Sequence, residues 1–101
     1  MSKILIVGAN SATAKAFISK FSDSLGEIFC CDLSDPYCEE LSSVWHKCDL
    51  ASQADITGVV RAVQPAQIYN FAGTFSNNYD VDYQANVLLP RFIFEAVLSL
   101  Q

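Results

Sequence analysis

The stretch that most constrains the fold is "KILIVGANSATAKAF", Lys3 to Phe17. After Lys3 comes a continuous apolar run, rich in β-branched side chains, so that Lys3–Val7 reads as a strand buried on both faces. Gly8 then permits a sharp turn. Beyond it Ala14, Phe17, Ile18 and Phe21 recur at helical spacing and form one apolar stripe. A buried strand that turns directly into an amphipathic helix opens a β-α-β unit, because a parallel partner strand needs a crossover to reach it.

The rest of the chain continues that alternation. Glu27–Cys31 reads as a second strand, ended by Asp32, and Pro36 to Ser43 as a loop with a helical turn. Val44–Cys48 reads as a short third strand, followed by Asp49-Leu50. Ile56, Val59, Val60 and Val63 mark a helix that stops before Pro65. Gln67–Phe71 is a fourth strand, Ala72-Gly73 begins a loop through Asn77-Asn78, and a last helix runs from about Asp82 to the end. Right-handed crossovers place such strands in the order 3-2-1-4, an α/β, doubly wound parallel sheet of Rossmann-like type, truncated after its fourth strand. One open sheet edge then asks for cover. The last helix raises the same demand: Val87, Leu88, Leu89, Phe92, Ile93, Phe94, Ala96, Val97, Leu98 and Leu100 cover nearly its whole circumference. A helix lying on one sheet needs a single apolar stripe, so a second partner is expected, either more of the same protein or another subunit.

Composition narrows the function classes. A length of 101 residues allows one domain, and 51% hydrophobic with 17% charged residues describes an ordered, soluble one. The net charge of −5 and six scattered basic residues argue against a nucleic-acid partner, which needs clustered Lys and Arg. No apolar run reaches the roughly 20 residues of a membrane span, and the opening run is too short for a signal peptide, so a cytoplasmic location is expected. Cys30, Cys31, Cys38 and Cys48 form no C-x-x-C pair, and the single histidine, His46, gives no zinc spacing. They read as reduced structural thiols.

The first turn carries the chemistry. A helix N-terminus at the end of a strand offers free N–H groups and a positive dipole to a pyrophosphate. Glycines normally let the backbone approach it. With spacing G-x-x-G-x-x-G the three positions are Gly8, Ser11 and Ala14; with G-x-x-x-G-x-G they are Gly8, Ala12 and Ala14. Only the first is glycine, although the replacements are small. Asp32 stands 24 residues after Gly8, where a carboxylate accepts from both hydroxyls of an adenosine ribose. It repels a 2′-phosphate, and no Arg follows it, which favours NAD over NADP.

Taken together, "KILIVGANSATA", "FCCDLSD", "HKCDLAS", "PAQIYNFAG" and "YQANVLLPRFIFEAV" resemble, in order and spacing, the extended short-chain dehydrogenase/reductase family, the NAD-dependent sugar-nucleotide epimerases and dehydratases. The short-chain branch shares "GANS" and N-x-A-G; the P-x-x-I-Y-N approach to the fourth strand and Asp49-Leu50 favour the extended one. The resemblance implies that Gly8, Asn10, Ser11 and Ala12 form the cofactor-binding turn, with Ser11 and Ala12 facing the pyrophosphate. It implies that Asp32 holds the adenosine ribose, that Asp49 accepts from the adenine amino group, and that Leu50 packs on the ring. Phe71, Ala72 and Gly73 would line the cofactor near its central phosphates and nicotinamide ribose, with Asn86 nearby. The last helix corresponds to one that packs in a dimeric four-helix bundle, so a homo-oligomer through this helix or the open sheet edge is expected.

The family's reaction needs a Tyr acid/base and a Lys four residues later that lowers its pKa. Four residues beyond Tyr37, Tyr69, Tyr79 and Tyr83 stand Leu41, Gly73, Tyr83 and Val87. Residues 1–101 are therefore expected to be a partial NAD(P)-binding domain without its C-terminal substrate domain, inactive alone. The alternative is a non-catalytic module that senses a nucleotide or binds a protein partner through a degenerate fold of this type.

Overall fold

The computed structural model describes residues 3–21, 27–73, 76 and 78–100. Strands β1 (Lys3–Val7), β2 (Glu27–Asp32), β3 (Trp45–Lys47) and β4 (Gln67–Asn70) form one parallel sheet in the order β3-β2-β1-β4. Helices α1 (Ala12–Phe21) and α2 (Gln53–Val63) cross between strands, and a 3-10 turn, Glu39–Val44, precedes β3. The chain closes with α3 (Tyr79–Tyr83), a π-helical segment Gln84–Leu88 and α4 (Leu89–Leu98).

β1 sits centrally and is buried on both faces, as its apolar run requires. Its alternating side chains feed two cores. Ile4 and Ile6 pack with Cys30, Ala14 and Ile18 beneath α1. Leu5 and Val7 pack with Cys31, Cys48, Ile56, Val60, Leu89 and Ala96 beneath α2 and α4. The result is three layers, helix on sheet on helix, and no polar or charged side chain is buried among the described residues. The Phe21 side chain, expected on the apolar stripe of α1, lies outside the described residues.

β2 runs one residue further than expected, to Asp32, and β3 stops one residue earlier, at Lys47; three other boundaries differ for a local reason. β3 starts at Trp45 because Val44 closes the 3-10 turn. β4 ends at Asn70 because the Asn70 side chain accepts from the Ala72 N–H at 2.9 Å and turns the chain off the sheet. The last helical stretch begins at Tyr79 rather than near Asp82, since Asn78 acts as its N-cap and accepts from the Val81 N–H at 3.2 Å.

The π segment also has an identifiable cause. Pro90 has no N–H for an i−4 bond, and its ring would strike the Asn86 carbonyl in a regular α-helix. Widening the preceding turn relieves that crowding, and Leu89 donates to Gln84, five residues back. Among the described residues no helix is long and apolar enough to cross a membrane.

Candidate functional site

The carboxyl ends of parallel strands are where an open α/β sheet leaves a crevice, and the expected site residues converge there. Gly8 leaves β1 with φ +77°, and its N–H and that of Ala9 both donate to the Cys31 carbonyl, at 3.0 and 3.2 Å. A Cβ on Gly8 would stand 2.7 Å from the Ala72 nitrogen and 2.8 Å from the Ala72 Cβ. The first turn is thus backed directly onto the loop after β4.

From Gly8 the chain is tied across to β2. The Asn10 N–H donates to Asp32 Oδ2 at 2.9 Å, while the Asn10 amide donates to Ser34 Oγ and to the Asp35 carbonyl. Asp32 also accepts at Oδ1 from the Leu33 N–H, 2.7 Å away. Each carboxylate oxygen has two lone-pair directions, so both keep capacity for a ligand hydroxyl. Ser11 occupies the head of α1. Its Oγ accepts from the Ala14 N–H at 3.1 Å, and its carbonyl receives the Lys15 N–H at 3.0 Å. The amides of Ala12 and Thr13 precede that first intrahelical bond and point out of the helix end. Ala14 is fully buried against the sheet, so the third glycine position needs no more than a small side chain.

Beyond β3, Asp49 is exposed and accepts from the Ala51 N–H at 2.9 Å, while its own N–H donates to Asp55 Oδ2 at 3.0 Å. Asp49 is not the cap of α2. That role belongs to Ser52, which accepts from the Asp55 N–H.

These loops enclose a cavity of about 480 Å³ together with the first turns of the last helical stretch, within the ~300–1,000 Å³ of small-molecule sites. Asp32, Asp49, Leu50 and Ala72 line it, joined by Leu33, Ala51, Asp80, Val81, Gln84, Ala85 and Leu89. Its charge is one-sided: among the described residues, three carboxylates and no cation line it. A phosphate is disfavoured inside it, whereas a neutral group bearing amino or hydroxyl donors is favoured. Lys47, paired with Asp32 in the strand register, is engaged by Asp35 at 3.2 Å. Below the two carboxylate loops, Cys31 donates its S–H to Cys48, which together with burial holds the Cys31 thiol protonated. Burial pushes the Cys30 thiol up to about 12. All four cysteines are free, and among the described residues no group of side chains has a metal-binding arrangement.

The remaining expected residues lie around the cavity rather than in it. Gly8, Asn10, Ser11 and Ala12 form its neighbour at the head of α1. Gly73 and Asn86 are brought together, since a Cβ on Gly73 would stand 3.2 Å from Asn86 Oδ1. Phe71 departs from the group: its ring packs 5.3 Å from that of Phe17, on the α1 side of the sheet. Sequence reasoning missed Leu33, Ala51, Asp80, Val81, Gln84, Ala85 and Leu89. Asp80 and Gln84 stand at i, i+4, a spacing that was available as a signal, but the helix was expected to start beyond Asp80.

No family profile matches the sequence, and no curated protein matches it. Solved structures do match the fold. L-threonine dehydrogenase from Clostridium difficile superposes with a TM-score of 0.83 at 17% identity, over 99% of this chain and 34% of that one. Uronate dehydrogenase from Agrobacterium tumefaciens gives 0.82 at 18% identity, over 98% and 37%. UDP-glucose 4-epimerase from Thermus thermophilus, in complex with NAD, gives 0.79 at 17% identity, over 93% and 33%. This chain spans about a third of the length of each of these proteins, and it has the Rossmann-like parallel α/β fold that forms the corresponding part of them.

Proposed function

We propose that this chain binds NAD, as the nucleotide-binding portion of a protein similar to the sugar-nucleotide epimerases and dehydratases. The observation that carries the reading is the cavity at the ends of β2, β3 and β4, which gathers Asp32, Asp49, Leu50 and Ala72 beside the Gly8 turn. Two features test the fit. Gly8 allows the first turn to lie against Ala72, where any side chain would clash. Asp32 accepts one N–H at each carboxylate oxygen, from Asn10 and Leu33, which leaves a lone pair on each for a ribose hydroxyl.

In this reading the adenosine half occupies the acidic cavity, and the pyrophosphate lies outside it against the Ala12 and Thr13 amides. Asp32 accepts from the ribose hydroxyls, Asp49 accepts from the base amino group, and Leu50 packs on the ring. Asn86 and Gly73 lie toward the nicotinamide end. The acidic cavity supports NAD over NADP, because a 2′-phosphate would meet Asp32 while Lys47 is engaged by Asp35. Bound NAD supplies a hydride acceptor. The residues of this chain bind and orient it, and none of its four tyrosines is paired with a Lys four residues on. Free thiols support a reducing, cytoplasmic setting, and the exposed face of α4 supports self-association.

Calorimetric titration with NAD tests the reading. Binding is expected for the native chain, with a loss of at least about tenfold in Asp32→Ala, the order given by charge-assisted hydrogen bonds. No binding at millimolar NAD would leave an interaction domain instead.

A further inference from the structure

We propose that Asp35 is a specificity-determining residue of this site: its carboxylate occupies the Lys47 ammonium beside Asp32 and so denies a ribose 2′-phosphate its counter-charge. The inference rests on the reading that Asp32 accepts from the ribose hydroxyls of a bound nucleotide. It assigns a share of the exclusion to a residue that does not line the cavity.

The sheet register brings the groups together. Asp32 ends β2 and pairs in register with Lys47, the last residue of β3. Both stand two residues beyond Cys30 and Trp45, a registered pair that packs in the core beneath α1. Side chains alternate faces along a strand, so Asp32 and Lys47 belong to the α1 side as well. Asp35 reaches the same place through Asn10. The Asn10 N–H donates to Asp32 Oδ2 at 2.9 Å, and its carboxamide donates to the Asp35 carbonyl at 3.2 Å. A single asparagine therefore spans from the ribose-binding carboxylate to Asp35. Between them the Trp45 indole N–H donates to the Ser34 carbonyl at 3.0 Å and fixes the loop. Asp35 Oδ1 then meets Lys47 Nζ at 3.2 Å.

This ion pair contributes little to the fold. Its Lys47 and Asp35 side chains are 65% and 83% exposed, and pairs in water are weak. Its consequence is the charge presented beside the ribose. Asp32, Asp35 and Lys47 together are net negative; without Asp35 the remaining two are neutral, and the ammonium is free to turn to a ligand. A 2′-phosphate needs that cation to offset its repulsion from Asp32. Lys15 on α1 is turned instead onto the Tyr37 ring, 5.0 Å from its centroid. A free 2′-hydroxyl is indifferent to the arrangement, because it asks only for an acceptor, and Asp32 supplies one.

Calorimetry on the intact chain tests this with NAD, NADP and adenosine 2′-monophosphate. The variants are Asp35→Asn, which removes the charge and keeps the backbone bonds of the loop, and Asp35→Asn combined with Lys47→Met. The native chain is expected to bind NAD at least about tenfold more tightly than NADP. Asp35→Asn should tighten both 2′-phosphate ligands about tenfold, the order of one freed charge near a phosphate dianion, and leave NAD within about twofold. That gain should shrink in about 0.5 M salt, where exposed charges are screened, and most of it should be lost with Lys47→Met. An NADP affinity that Asp35→Asn leaves unchanged overturns the proposal while NAD binding stands. A gain that survives the loss of Lys47 overturns it too, leaving plain repulsion by Asp35. A native chain that binds NADP as tightly as NAD overturns it without any variant. A Lys47-dependent gain for adenosine 2′-monophosphate with no NAD binding supports it and removes NAD as the ligand. Binding of none of the three ligands to any of the chains overturns both.

Discussion

Gly8 shows how closely a single position ties the fold to the candidate site. Its φ of +77° is a conformation that L side chains rarely adopt, and a Cβ there would stand 2.7 Å from the backbone nitrogen of Ala72. Gly8→Ala should therefore cost at least about 2 kcal/mol, lowering the melting temperature by roughly 10 °C for a domain of this size. Gly58 is the internal control. It lies in α2, where an added Cβ would meet nothing within 4 Å, so Gly58→Ala should raise stability by about 0.5–1 kcal/mol. Paired thermal melts check both, and equal effects of the two substitutions would sink the argument. At this scale Gly8 and Asp32 were legible, because a turn after a buried strand and an acid after the next one have few alternative uses. Gln84 was not legible. It sits between apolar residues in a helix whose register shifts at Pro90, and a regular 3.6-residue period does not anticipate that shift.

Among the elements, the loop between β3 and α2 separates stability from affinity. Ser52 caps α2, whereas the Asp55 carboxylate reaches back to the Asp49 N–H at 3.0 Å and holds the loop that carries Asp49 and Leu50. Asp55 does not line the cavity that Asp32, Asp49 and Leu50 share. Ser52→Ala should cost about 1 kcal/mol by losing the cap, with little change in NAD affinity. Asp55→Ala should weaken NAD binding several-fold, by freeing the Asp49–Leu50 loop. Denaturant melts alongside titrations measure the two effects, and an Asp55→Ala chain with native affinity would remove the loop-holding role. The strands and α1 and α2 were legible from period and from punctuation by Gly8 and Pro65. The start of the last helical stretch was hidden because Asn78 doubles as loop residue and cap, and β4 was overextended because Phe71 continues its apolar run after Asn70 has already turned the chain.

For the molecule as a whole, topology was the most legible feature, since right-handed crossovers leave only a few strand orders for four parallel strands, and the doubly wound order 3-2-1-4 is one of them. The same order leaves surface to account for. α4 commits Leu89 and Ala96 to the core, yet Val87 before it is 47% exposed, Phe94 56% and Leu98 51%. β4 meets no strand beyond β1 among the described residues. Apolar side chains of that size, aligned on one helix face, are the material of a subunit contact, in which aromatic anchors dominate the energy. The chain is expected to run at twice its monomer mass by light scattering at micromolar concentration. Replacing Phe94 and Leu98 by Lys should yield a monomer, because two like charges would then face their symmetry mates across the contact. NAD affinity should be retained in that variant, since neither residue lines the cavity. A native chain that scatters as a monomer would remove the paired-helix contact. A dimer that survives both lysines would move the contact to the open edge of β4, where strand pairing needs no apolar side chains.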